Sequence, residues 1–200
     1  KKSVNNIMTA LYAFVVISFF ITIVDIIIRF PLQSEMIDYN DIQAIVINVL
    51  ALLIQIVFFA YGFVNAIRGM LSPKRMGAVI TAFFAATCIT GTGNMVINSN
   101  VQIVLWWIVL IIPNIVGAVA TFAYFVSGKK SKIYSIIIYL AAIWGMFRII
   151  YSNYNLIVHA NQYLSMNSTV RLVLGIAIHC LVIYQTYVLW IKRQNAIDIS

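Results

Sequence analysis

Charge is what this 200-residue chain has least of: Asp, Glu, Lys and Arg together make up 9% of it. A water-soluble domain carries about 25% charged residues to cover its surface, so a soluble globular fold is excluded. Acids are scarcer than bases, five against thirteen, which leaves a net charge of +8. There are two histidines and two cysteines. Cys88 and Cys180 both lie inside apolar runs, where cysteine behaves as a small hydrophobe rather than as half of a disulfide or metal pair. Catalytic motifs are missing as well. No HExxH, GxSxG or Walker pattern occurs, and no span holds a pair of aspartates or of histidines. The stretch GTGN at 91–94 lacks the lysine and the preceding strand of a phosphate loop. Nothing points to an enzyme, and no cofactor or metal is expected.

Apolar length is what the chain has instead. Hydrophobic residues make up 63% of it, and the mean hydropathy is +0.99. A membrane-crossing helix takes about 20 residues, so the length allows six or seven crossings in one integral domain, 1–200. The apolar runs fall at about 4–28, 42–66, 76–96, 101–126, 133–151 and 170–191. They predict an all-α, polytopic six-transmembrane-helix bundle. The first run is span-length behind KKSVNN, so it reads as a retained helix and not as a cleaved leader. The chain opens on Lys1 and not on Met, which reads as a trimmed start.

The third run, GAVITAFFAATCITGT, carries a ladder of small residues. Ala78, Ala82, Ala86 and Thr90 recur every fourth position, with Thr81 and Ala85 beside them, so they stack along one helix face. Small faces let helix backbones approach closely, which is how helices adhere in lipid. Elsewhere, Pro31 is expected to stop the first helix. Pro113, beside Asn114 in mid-span, is expected to kink the fourth and free a carbonyl.

The bases alternate from connection to connection. Lys1, Lys2, Arg68, Lys74, Arg75, Lys129, Lys130, Lys132, Lys192 and Arg193 fall on one side, and Arg29, Arg148 and Arg171 on the other with Glu35, Asp38 and Asp41. By the positive-inside rule both termini are cytoplasmic. The clustered charge is thus a topology signal, and the expected partner is membrane lipid, not nucleic acid. An isoleucine- and asparagine-rich composition points to an AT-rich genome and to the plasma membrane of a bacterium.

Six residues make up a candidate substrate site in the outer half: Asp25, Asn48, Thr87, Thr90, Asn94 and Arg148. Charges inside a span are expensive and face an interior or a partner. Arg148 is placed to hold Asp25 or the anionic group of a bound molecule; the competing reading has it snorkel to the headgroups while Asp25 pairs with Arg29. The neutral candidates, with Gln55 and Asn114, line a cavity or make helix–helix hydrogen bonds. His179, near mid-membrane with no second ligand at its depth, reads as a buried histidine bonded to a neighbouring helix. A short interfacial helix is expected within the connection 152–169.

These features fit transport of a small-molecule solute, or the substrate-binding membrane subunit of a transporter. In size and topology the chain resembles the small substrate-binding components of energy-coupling-factor transporters, a likeness of architecture and not of motif. That likeness implies an ATPase module or other membrane subunits as partners. The alternative is a non-transporting accessory, assembly or immunity-type subunit of a larger membrane complex.

Overall fold

The computed structural model describes residues 2–33, 39–97, 107–127, 132–154 and 166–197, and all of its regular structure is helical. Six helices follow one another: α1 (Lys2–Gln33), α2 (Tyr39–Ile67), α3 (Pro73–Ile97), α4 (Ile112–Thr121), α5 (Lys132–Ser152) and α6 (Met166–Ile197). Five of them are long and apolar enough to cross a membrane; α4 reaches that length because π-helical turns extend it at both ends, Trp107–Ile111 and Phe122–Val126. In α3, Lys74 and Arg75 open the helix and threonines and glycines fill its second half, and it is not among the five. Pro31 does not end α1, which continues to Gln33; so close to a helix end the missing N–H forfeits a single ladder bond.

Each helix packs against the next in sequence, α6 returns to α1, and α3 touches α6 across the middle. The result is a closed, up-and-down ring. The starts of α1, α3 and α5 and the ends of α2, α4 and α6 share one end, which carries Arg68, Lys74, Arg75 and Lys132; we call it the basic end. The outside is sheathed in apolar side chains such as Phe20, Val57, Val119, Ile133 and Leu140. A helix apolar all round needs lipid rather than water as its solvent.

Glycines set the register between neighbours. Along α3 and α4, Gly77 lies against Phe125, Phe84 against Gly117, and Gly91 against Leu110. Positions on α3 rise by seven while those on α4 fall by seven or eight, so the two helices run antiparallel with small opposite large at every step. This heptad face is not the alanine ladder. At 100° per residue the ladder lies on the far side of α3, where Ala82 and Ala86 are buried and Ala78, Ala85 and Thr90 half-buried. Two small faces let α3 pack on α2 and α4 at once. The same device recurs where Gly62 meets the Tyr12 ring, Gly145 meets His179 and Gly175 meets Ile149.

Candidate functional site

Pro113 has no N–H, so the carbonyl four residues earlier, Val109, loses its α-helical donor. The chain answers with a π turn over Trp107–Ile111 and with side chains from three helices. The indole Nε1 of Trp144 on α5 donates to Val109 O at 2.7 Å. The Asn114 Nδ2 donates to Leu110 O at 2.6 Å, and Cys88 Sγ on α3 lies 3.9 Å from Ile111 O. Three consecutive carbonyls at the break thus each face a side-chain donor. The freed carbonyl expected beside Pro113 is present, and it is taken by a neighbouring helix. Such π bulges gather at functional sites.

Beside this break lies the polar centre of the bundle. His179, 4% exposed, holds its Nδ1 2.7 Å from the Gly175 carbonyl on its own helix. A carbonyl only accepts, so Nδ1 carries the proton, and in the neutral ring Nε2 keeps a free lone pair. That nitrogen points into the notch of Gly145 on α5, while the Phe83 ring stands edge-on at 5.1 Å. The bond expected to a neighbouring helix is instead one to the same helix: the i−4 carbonyl is nearer than any partner across a seam. Arg148, one turn beyond Gly145 on α5, is half-buried. Outward of it, Trp144, Phe147 and Tyr151 stack along α5 at centroid distances of 5.9 and 6.2 Å.

The remaining sequence candidates scatter. Asn48 is exposed on the outer surface of α2. Thr87 spends its hydroxyl on the Phe83 carbonyl of its own helix at 2.9 Å. Thr90 is half-buried on the ladder side of α3. Asp25 and Asn94 lie on α1 and α3, and their side chains, like those of all five acids, fall outside the described residues; so does the segment 155–165 where an interfacial helix is expected. Neither cysteine is in a disulfide, and Cys180 is exposed on the bundle surface, not buried as its apolar surroundings in sequence predict. A neighbour of His179 in sequence, it is turned by about 100° away from the interior.

The candidate residues of the sequence lie in the half away from the basic end, whereas most of the buried polar residues described are in the other half. Asn65, Thr121, Ser135, Gln185 and Thr186 are buried there. Gln185 on α6 donates its Nε2 to the Tyr12 hydroxyl on α1, and both residues are fully buried. At the turn between α2 and α3, Arg75 Nη1 donates to Asn65 Oδ1 and to Met70 O, each at 2.7 Å. Gly69, at φ 65°, allows the return of the chain there, with Met70 N donating to Asn65 O at 2.8 Å. Gln185 and Asn65 were legible only as polar residues inside apolar runs.

The fold and its apolar surface define a small, multi-pass helical membrane protein. No family model matches the chain, and neither a curated protein nor a solved structure is similar to it.

Proposed function

We propose that this protein binds a small solute bearing an anionic group in the half of the bundle away from the basic end, and that it serves solute transport. In this reading α3 is a sixth crossing, both termini are cytoplasmic, and the membrane is the plasma membrane of a bacterium. One observation carries it: Arg148 is half-buried on a membrane-length helix, one turn beyond the Gly145 notch that seats His179. A guanidinium keeps its charge and presents five donors in a fork that matches a carboxylate or phosphate. The break in α4, held by Trp144 one turn from Arg148, gives that corner an irregular backbone, which membranes tolerate beside cavities and protein. Within this reading the partners are lipid and an energising module such as an ATPase, and Asp25, Thr90 and Asn94 complete the site.

Thermal unfolding of the detergent-purified protein against a panel of small carboxylates and phosphates tests it. A stabilising solute is expected, with its shift lost in Arg148→Ala and partly kept in Arg148→Lys. A shift unchanged in Arg148→Ala defeats the proposed site. Exposed Asn48 favours a second reading, an accessory subunit. An amide facing lipid has no partner there, and asparagines join membrane helices. In that case a subunit co-purifies with the wild type and is lost with Asn48→Leu, while no solute shifts unfolding.

A further inference from the structure

Gln185 and Tyr12 are each 0% exposed, and they meet across the seam between the last helix and the first. A carboxamide has a donor end and an acceptor end. Only one end meets the phenol; Oε1 is buried with no hydrogen-bond partner among the described residues. Around the pair the interior is apolar, with Val15, Phe19, Phe59, Leu181 and Val188 in the same cluster. An amide end left dry in such a place is destabilising, and leucine would fill the volume without that penalty.

The seam itself is unlike the others. Among the described residues, α1 meets α2 at the Gly62 notch, α3 meets α4 at Gly77 and Gly91, α4 meets α5 at Gly117, and α5 meets α6 at Gly145 and Gly175. The α2–α3 pair is joined by a short turn clamped by Arg75. The α6–α1 pair has neither a glycine notch nor a connecting turn. Its hydrogen bond stands roughly 10–12 Å in from the basic end, counted at 1.5 Å per residue from Lys192 and from Val4. Tyr12 is seated over Gly62 and belongs with α2, whereas Gln185 moves with α6.

We propose that the α1–α6 seam opens toward the basic end, and that Tyr12 and Gln185 form a latch there that becomes a water-accessible polar site on opening. When the helices part, water reaches the phenol and both ends of the amide, so the orphan acceptor of the closed form gains a donor. The inference goes beyond the solute reading: it concerns the opposite end of the interior, and its test needs no solute.

The test uses single cysteines in a Cys88→Ala, Cys180→Ala chain reconstituted in vesicles, with a membrane-impermeant maleimide applied to the basic end. Leu181→Cys lies one turn behind the latch on the same side of α6. Thr186→Cys is equally buried, lies nearer the basic end, and is turned away from the Gln185 direction by about 100°. Opening along the seam labels position 181 about tenfold faster than position 186, although 181 is deeper; fraying of the helix end would reverse that order. Tyr12→Phe, which removes the latch and keeps the ring, accelerates labelling at 181 several-fold and leaves 186 unchanged. Equal rates at the two positions, faster labelling at 186, or no response to Tyr12→Phe overturns the proposal.

Discussion

Replacing Trp144 with Phe isolates one hydrogen bond, because Phe keeps the stacking on Phe147 and the residue is already 40% exposed. What is lost is the 2.7 Å bond from Nε1 to the Val109 carbonyl. Hydrogen bonds between membrane helices average about 0.6 kcal/mol and reach about 1.7. This one should fall in the upper half of that range, at about 1–1.5 kcal/mol, because Pro113 has removed the acceptor's α-helical donor and little else serves it. The argument has a sharper form in a double-mutant cycle. Pro113→Ala returns an N–H to position 113, within reach of Val109 O once the turn relaxes to α. In that background Trp144→Phe should cost no more than about 0.5 kcal/mol, so the two changes couple by about 0.5–1 kcal/mol. Reversible unfolding of the four proteins in mixed detergent–SDS micelles reads the cycle directly. If Trp144→Phe costs the same in both backgrounds, Pro113 does not orphan the Val109 carbonyl and the account of the α4 break is wrong.

Gly77→Ala gains about 1 kcal/mol of helix propensity, but its Cβ would overlap Phe125 Cβ, an atom that cannot move without the backbone. Overpacking of about 1–3 kcal/mol should win, giving a lower unfolding temperature; a rise would refute the tight α3–α4 register. Gly69→Ala meets open space yet sits at φ 65°, so it should cost about 1 kcal/mol through backbone strain alone, and Gly69→Asn should cost less in the same unfolding assay. Arg75→Ala removes two hydrogen bonds at the α2–α3 turn and should destabilise by about 1–2 kcal/mol. Exposed Arg68→Ala should stay within about 0.5 kcal/mol of wild type; equal losses would show that the Arg75 clamp contributes nothing special.

The positions of the helices were legible because lipid imposes the simplest patterning rule there is, apolar on every side for about 20 residues. Over the described residues each apolar run lies in a helix, and several helices extend past their runs where polar residues still continue the hydrogen-bond ladder; Lys2 and Ile197 are such ends. The break in α4 was legible too, since a proline in mid-helix has one covalent consequence. What the sequence concealed was the use of its polar residues. The alanine ladder predicts the face for close approach, but glycine contacts of α3 run through Gly77 and Gly91, because a missing Cβ matters more than a run of small ones. Depth along a span is legible in sequence but carries no azimuth, so exposed Asn48 and half-buried Arg148 look alike there.

Back-bonding explains why the polar inventory is a poor guide to sites in this chain. Ser18, Thr22, Asn65, Thr87, Asn114, Thr121, His179 and Thr186 all bond the carbonyl four residues before them. In lipid no water competes for these groups, and the nearest acceptor is one turn back on the same helix. Bonds of this kind are made at home and specify nothing about neighbouring helices; of these residues Asn65 also reaches across, accepting from Arg75. Specificity between helices falls, among the described residues, to groups that cross a seam: Trp144 to Val109, Cys88 to Ile111, Arg75 to Asn65 and Gln185 to Tyr12. An apolar face gains little by choosing protein over lipid, so these bonds and the glycine notches must set the arrangement between them. A seam with a notch is fixed by shape, which does not switch. Among the described residues the α1–α6 seam has no notch, and the Gln185–Tyr12 hydrogen bond that crosses it is one that water can replace, so motion in this bundle belongs there.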